Sequence, residues 1–277
     1  MDQFQYARTY RGRVQAVIFD WAGTMVDYGC LAPAAVFIEV FKRQGVDITV
    51  EEAREPMGAH KMDHIREVTQ MPSVAKRWKE ANGKLPNETD VEAMFEEFVP
   101  RQVDCIAEYA DMIPGALDVV ASLRKREIKI GSTTGYTGEM MKVLVPEAKK
   151  RGYAPDSIVC ATDVPYGRPK PWMCFANAQN LGVFPMEAVV KVGDTLSDIA
   201  EGLNAGMWTI GVTKCGNELG LSEKEADALD SEELHRRLDR ASQRMYQAGA
   251  HFVVESIGDI LPCIDEVEAR LRRGERP

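Results

Sequence analysis

Val14-Gln15-Ala16-Val17-Ile18-Phe19 is a short apolar run that ends on a carboxylate, Asp20, and the arrangement recurs along the chain. Ile128-Lys129-Ile130-Gly131 runs into Ser132-Thr133-Thr134-Gly135, and Val189-Val190-Lys191-Val192-Gly193 runs into Asp194. Runs this short, bounded by small or polar residues, read as strands buried on both faces, as parallel strands are. Ile158–Cys160 and Trp208–Val212 are two further candidates. Helical patterns lie between them, over Ala116–Lys125, Gly138–Arg151 and Ser197–Ala205. Strand and helix in alternation predict an α/β fold with a doubly wound, Rossmann-like parallel sheet. Such sheets bind ligands beyond the carboxyl ends of their strands. Asp20, Thr133, Thr134 and Asp194 fall there.

Residues 29–108 break the alternation and read as helices throughout: Ala34–Gln44, Val50–Glu55, Lys61–Gln70, Val74–Ala81 and Thr89–Glu108. The expected organisation is a core built from residues 1–28 and 109–277, with 29–108 inserted as an all-helical cap domain over the sheet's active edge. Near the C-terminus, Ser222–Gln247 reads as one charged, solvated helix opening on a Ser222-x-x-Glu225 capping box. The tail Arg270–Pro277 is expected to fray.

Composition excludes several classes of function. The net charge of −9 leaves no polybasic stripe for nucleic acid. No apolar stretch approaches the roughly 18 residues of a membrane span, and Met1–Tyr6 lacks the features of a secretory signal. The six cysteines, Cys30, Cys105, Cys160, Cys174, Cys215 and Cys263, form no C-x-x-C pair. They read as free thiols of a cytoplasmic protein.

Chemistry concentrates at the strand ends. Phe19-Asp20-Trp21-Ala22-Gly23-Thr24 places a carboxylate before a Gly-Thr turn whose amides can face an anion. Gly193-Asp194-Thr195-Leu196-Ser197-Asp198 sets two carboxylates four residues apart, a spacing that can hold Mg²⁺ directly and through a second shell, or simply cap a helix. The hydroxyls of Thr133 and Thr134 suit phosphate oxygens, and Gly167-Arg168-Pro169-Lys170-Pro171 fixes a cation near the same edge.

In this order the four motifs resemble the haloacid dehalogenase superfamily, mostly Mg²⁺-dependent phosphotransferases. The resemblance implies that Asp20 is a nucleophile toward phosphorus and that Asp20, the carbonyl of Ala22 and Asp194 hold Mg²⁺, with Asp198 behind them. Thr133 or Thr134, with Arg168, would bind the transferring group. One position departs from the superfamily's phosphatases. They usually carry a second aspartate two residues after the nucleophile, a general acid that contributes about 10²–10⁴-fold; this chain has Ala22. Either the protein is impaired or its leaving group is not an alkoxide, with carbon the candidate.

The inserted segment carries a second departure, Met57-Gly58-Ala59-His60-Lys61-Met62-Asp63-His64. Lys61 begins a helix, with His64 three residues later on nearly the same face. Such a lysine is ordinarily a surface charge, but desolvation and cationic neighbours can make it the neutral amine that attacks a carbonyl. Together with Asp27-Tyr28-Gly29-Cys30, Gly131–Thr137 and Tyr166–Pro171, these residues are similar to the phosphonatase family, which hydrolyses the C–P bond of phosphonoacetaldehyde. That likeness implies a Schiff base on Lys61 and places Gly135, Tyr136, Met57, His64 and Cys30 around the substrate. It also implies a homodimer joined through the caps. The alternatives are a Mg²⁺-dependent phosphate-ester phosphatase or mutase of the same superfamily, a dehalogenase attacking carbon, and a silent phosphate-binding homologue.

Overall fold

The computed structural model describes residues 9–277; Met1–Tyr6, the segment that bears on a secretory signal, lies outside the described residues. The chain enters the sheet at β1 (Ala16–Phe19) and then makes five helices: α1 (Leu31–Arg43), α2 (Val50–Arg54), α3 (Lys61–Gln70), α4 (Pro72–Asn82) and α5 (Glu88–Ile106). It returns through α6 (Ala116–Lys125), β2 (Lys129–Thr134), α7 (Gly138–Lys150), β3 (Ser157–Cys160) and α8 (Trp172–Leu181). The remainder is β4 (Val189–Gly193), α9 (Leu196–Asn204), β5 (Trp208–Val212), α10 (Glu223–Ala228), α11 (Ser231–Gln247), β6 (Phe252–Val254) and α12 (Ile260–Arg273).

All six strands are parallel, in the order β3-β2-β1-β4-β5-β6. Side chains alternate across a strand, and β1 divides its residues accordingly. Val17 and Phe19 join the core that contains Val190, Val192 and Ile210, while Ala16 and Ile18 join Cys174, Leu181 and Met207. Burial on both faces explains why the run is continuously apolar, and its central position puts Asp20 at the reversal of strand order.

The passage from β1 into the insertion is tightly determined. Asp27, Gly29 and Cys30 have left-handed φ of 57°, 86° and 52°. For a residue with a Cβ this costs roughly 1–2 kcal/mol. Cys30 has no side-chain cap to offer α1. The Asp27 carboxylate takes that role, accepting from the amides of Leu31 at 3.0 Å and Ala32 at 3.1 Å. Charge-assisted bonds of about 1.5–3 kcal/mol offset the strain. Within the insertion, Phe37 packs on Phe98 with ring centroids 4.4 Å apart, and Phe41 meets Trp78 edge-on.

Several expectations are corrected. Ser222–Gln247 is two helices, because Asp230 caps α11 by accepting from Glu233 N at 2.9 Å and so ends the helical run before it. The Ser222–Glu225 capping box is formed. The tail is ordered as far as Arg273, since Leu271 is fully buried and Arg270 lies over the rings of Trp208 and Phe252. Strand β6 was not expected; it is a three-residue edge strand, half-buried, and too short to show a period. Helix α8 continues the alternation of strand and helix between β3 and β4, and α12 follows β6.

Candidate active site

Three carboxylates converge beyond the carboxyl ends of β1 and β4. The amide of Asp20 donates to Val192 O at 2.9 Å, extending the β1–β4 ladder by one bond and aiming the carboxylate past the sheet edge. Asp194 follows β4 and is held by Thr24 Oγ1 at 3.1 Å and by the amide of Asn217 at 2.8 Å. Asp198 sits in the first turn of α9, where Thr195 caps the helix and donates to it at 2.6 Å. One oxygen from each of Asp20, Asp194 and Asp198 lies within 4.8 Å of the others, and all three residues are buried.

Their charges are balanced unequally. Burial tends to raise the pKa of Asp198, but Arg168 and Lys191 outweigh it and hold the group below its usual value. Lys191 Nζ donates to Asp198 at 2.5 Å from within the apolar β4. Asp194 is pushed well above the ordinary carboxylate range by burial and then by Asp20 and Asp198. Asp20 is also raised, with burial prevailing over its contact with Arg168. Asp20 and Asp194 are thus the pair that still calls for positive charge. Their all-oxygen donor set suits a hard divalent cation. Two glycines leave room around Asp194: a Cβ on Gly23 would stand 2.1 Å from its Oδ2, and one on Gly216 2.3 Å from its Cβ. The residues fit a metal.

Arg168 ties the two sides of the site together. Its guanidinium donates to Asp20 Oδ1 at 2.6 Å, Thr133 Oγ1 at 2.7 Å and Glu201 Oε2 at 2.9 Å, and it lies 3.0 Å from Asp198. Burial acts against this cation, but Asp198, Asp20 and Glu201 keep it charged. Thr133 donates its own proton to Glu201 at 3.0 Å. Consecutive residues of β2 face opposite ways, and Thr134 turns to the cavity instead, where its Oγ1 accepts from Tyr136 N at 3.1 Å.

The insertion closes over this edge. Lys61 opens α3 behind His60, whose Nδ1 accepts from Met62 N. It is 2 % exposed, and its Nζ lies 5.5 Å from the centre of the Phe37 ring and 5.1 Å from that of Tyr136. Burial lowers its pKa to about 8, partly opposed by Cys30 and Asp20. The ring faces favour the cation only modestly, so the neutral amine is accessible near neutrality. Beneath it, His64 stacks on Phe37 and its Nε2 lies 2.9 Å from Ala53 O. A carbonyl only accepts, so Nε2 carries the proton and Nδ1, which has no partner, is a bare acceptor. Burial and then Lys61 keep the ring neutral.

Asp20, Ala22, Cys30, Met57, Lys61, Thr134, Gly135, Tyr136 and Arg168 line one cavity of ≈ 20 Å³, room for about one water molecule. Asp194 and Asp198 stand behind Asp20. Thr133 and His64, expected at the substrate, do not line the cavity: the first is spent on Arg168 and Glu201, the second packs behind Phe37. Sequence reasoning missed Lys191, Glu201, Asn217 and Arg54. A lysine inside an apolar strand was a legible sign of a buried counter-charge, and Glu201 follows Asp198 by one helical turn. Asn217 and Arg54 lie in a loop and a short helix where nothing local marks them.

Residues 14–206 match the family model for haloacid dehalogenase-like hydrolases. A "phosphonoacetaldehyde hydrolase" of Syntrophobacter fumaroxidans is 53% identical over 277 residues, all of both chains. A "phosphonoacetaldehyde hydrolase-like protein" of the same organism is 52% identical over the same span. Among solved structures, a phosphonoacetaldehyde hydrolase-like protein from Oleispira antarctica is 42% identical and superposes with a TM-score of 0.96, over 99% of this chain and 100% of that one.

Proposed function

The chain belongs to the haloacid dehalogenase-like hydrolases and, within them, to the family of phosphonoacetaldehyde hydrolases, enzymes acting on carbon–phosphorus bonds, and we propose that it hydrolyses phosphonoacetaldehyde to acetaldehyde and phosphate through an imine on Lys61 and phosphoryl transfer to Asp20. The observation that carries the proposal is that a buried lysine and the strand-end aspartate line one cavity from which a second aspartate is missing, its place taken by Ala22.

Direct C–P cleavage would expel an unstabilised carbanion. Lys61, in its neutral form, adds to the aldehyde carbon and water leaves, giving an iminium conjugated to the C–P bond. Asp20 then attacks phosphorus in line; the C–P electrons flow into the iminium and the leaving group is an enamine. No oxygen leaves, so Ala22 is suited to the step. Arg168 and Thr134 orient the phosphonyl oxygens. Asp20, the Ala22 carbonyl and Asp194 would hold Mg²⁺, with Asp198 behind them, and when bound the cation supplies charge neutralisation at those oxygens. Protonation of the enamine at carbon and hydrolysis of the imine free Lys61 and acetaldehyde, and water releases phosphate from Asp20.

Residues 29–108 act as a cap in this reading, because Lys61 and Asp20 meet only when the insertion lies on the core. Closure keeps bulk water from the acyl phosphate. The reading also carries a homodimer paired through the caps and a reducing cytoplasmic setting, consistent with six cysteines that are all unpaired. Among the described residues no helix is long and apolar enough to cross a membrane. The decisive experiment is acetaldehyde release from phosphonoacetaldehyde, with Mg²⁺ and after chelation. Release that depends on Mg²⁺ is expected; none from folded protein would overturn the proposal.

A further inference from the structure

A second and much larger cavity, of ≈ 510 Å³, lies between the insertion and the core. Its walls are α2, the loop 217–221 and one face of α11. That volume falls within the range of small-molecule sites. Helix α11 turns Arg237, Arg240 and Arg244 toward it, spaced three and four residues apart so that they form one row.

The carboxylates along the cavity are already engaged. Glu233 is held by Arg236 and Arg237, and Arg244 takes Glu218 at 3.2 Å and Glu55 at 3.3 Å. Glu51 is stabilised within the first turn of its own helix, by its own backbone and Thr49. Two further cations lie near these carboxylates, Arg54 by Glu51 and Arg240 by Glu218, without closing an ion pair with them. Arg240 is exposed and makes no ion pair or hydrogen bond among the described residues. Arg54 is only 9% exposed and uses a single nitrogen, Nη1, which donates to Gly29 O at 2.9 Å and Asn217 Oδ1 at 3.1 Å; its Nε is buried with no partner. Gly220 permits this placement, since a Cβ there would stand 2.9 Å from the guanidinium carbon. A buried guanidinium with an unused N–H edge is the feature that recognises a planar or tetrahedral oxyanion by paired hydrogen bonds.

We propose that the α2–α11 cleft is a binding site for a small, doubly charged oxyanion of the sulfate or phosphate type, held by Arg54 from the insertion and Arg240 from the core. The site is separate from the cavity of Asp20 and Lys61. It is nevertheless joined to it, because Asn217, which accepts from Arg54, also donates its amide to Asp194.

The test uses the full chain and sulfate, compared with chloride at matched ionic strength and in the millimolar range, below the concentrations at which sulfate stabilises proteins generally. The wild-type midpoint of thermal unfolding is expected to rise by about 2–4 °C. Arg240→Gln, an exposed substitution, should cut the rise by half or more, and Arg54→Lys should do the same where it folds. Arg168→Lys, or Thr134→Val if that variant fails to fold, removes a phosphonyl contact of the other cavity and should still keep at least half of the rise. No rise in the wild type, a rise that survives Arg240→Gln, or a rise abolished by the active-site variant would each overturn the proposal.

Discussion

Gly135 and Gly58 face each other across the junction of core and insertion so closely that a Cβ on Gly135 would stand 2.9 Å from Gly58 O and 2.5 Å from Ala59 O. Gly135 ends the β2 edge of the site, and Gly58 lies in the segment that delivers Lys61. The obstacle is backbone carbonyl, which cannot rotate away as a side chain can. Gly135→Ala should therefore leave the sheet intact and hold Lys61 away from Asp20. A fall of at least tenfold in kcat/KM, about 1.4 kcal/mol of transition-state stabilisation, is expected, with little change in the unfolding midpoint. Unchanged kinetics would mean that the two segments need not touch during turnover.

Lys61→Arg keeps a cation of similar reach but not an amine that condenses with an aldehyde. Acetaldehyde release should fall to background, while circular dichroism and the unfolding midpoint stay close to the parent. Borohydride reduction in the presence of substrate should link the aldehyde to the parent chain and to Asp20→Asn, yet not to Lys61→Arg. Substantial turnover by Lys61→Arg would dispose of the imine.

The pH dependence follows from the same burial. The Lys61 pKa is lowered to about 8, so below that value the neutral, reactive fraction falls roughly tenfold per pH unit. The rate of borohydride trapping should climb with pH and flatten at about 8. A profile that keeps rising well beyond this would place Lys61 in a wetter environment than the contacts with Phe37 and Tyr136 describe.

These effects rest on residues that were legible to different degrees. The strand ends could be read because a parallel strand buried on both faces is apolar throughout, and the first polar residue after it marks the sheet edge; Asp20 and Asp194 stand out for that reason. Lys61 could be read as chemistry only through resemblance, since nothing local distinguishes a buried first-turn lysine from a solvated one. The rotation of Thr133 toward Glu201, and of Thr134 toward the cavity, follows from pleating but needs the strand to extend through both, which the Ser-Thr-Thr-Gly run concealed. Arg54 and Asn217 matter through pairing between segments 163 residues apart. No window of sequence contains such a contact.

Asp194→Asn should separate stability from activity. Burial and the neighbouring Asp20 and Asp198 raise the folded-state pKa of Asp194 above its unfolded value. Its favourable contribution is thus present at low pH and lost as pH rises through the folded value. The metal-free parent should lose thermal stability across that rise, and Asn should flatten the loss, leaving the variant a few degrees more stable near neutrality. Thr24 can turn its hydroxyl to suit an amide, so the local bonds survive. Mg²⁺ should raise the midpoint of the parent but not of the variant, and turnover should be abolished. A variant less stable than the metal-free parent would show that the Asp194 carboxylate is well balanced without a cation.

Ala22→Asp tests what kind of bond the site is shaped to break. Ala22 is 8% exposed and faces the cavity two residues beyond Asp20, so a carboxyl there would stand beside the reacting centre. An alkyl phosphate needs a proton on its departing oxygen, a service valued at about 10²–10⁴-fold. An enamine leaving group needs none. The new carboxyl would also add a negative charge beside Asp20 and Asp194, which already strain for positive charge. Turnover of phosphonoacetaldehyde should therefore fall while hydrolysis of an alkyl phosphate rises from background, moving the ratio of the two kcat/KM values by more than tenfold. If the ratio of the two kcat/KM values stayed unchanged, the residue at position 22 would not be what selects the leaving group.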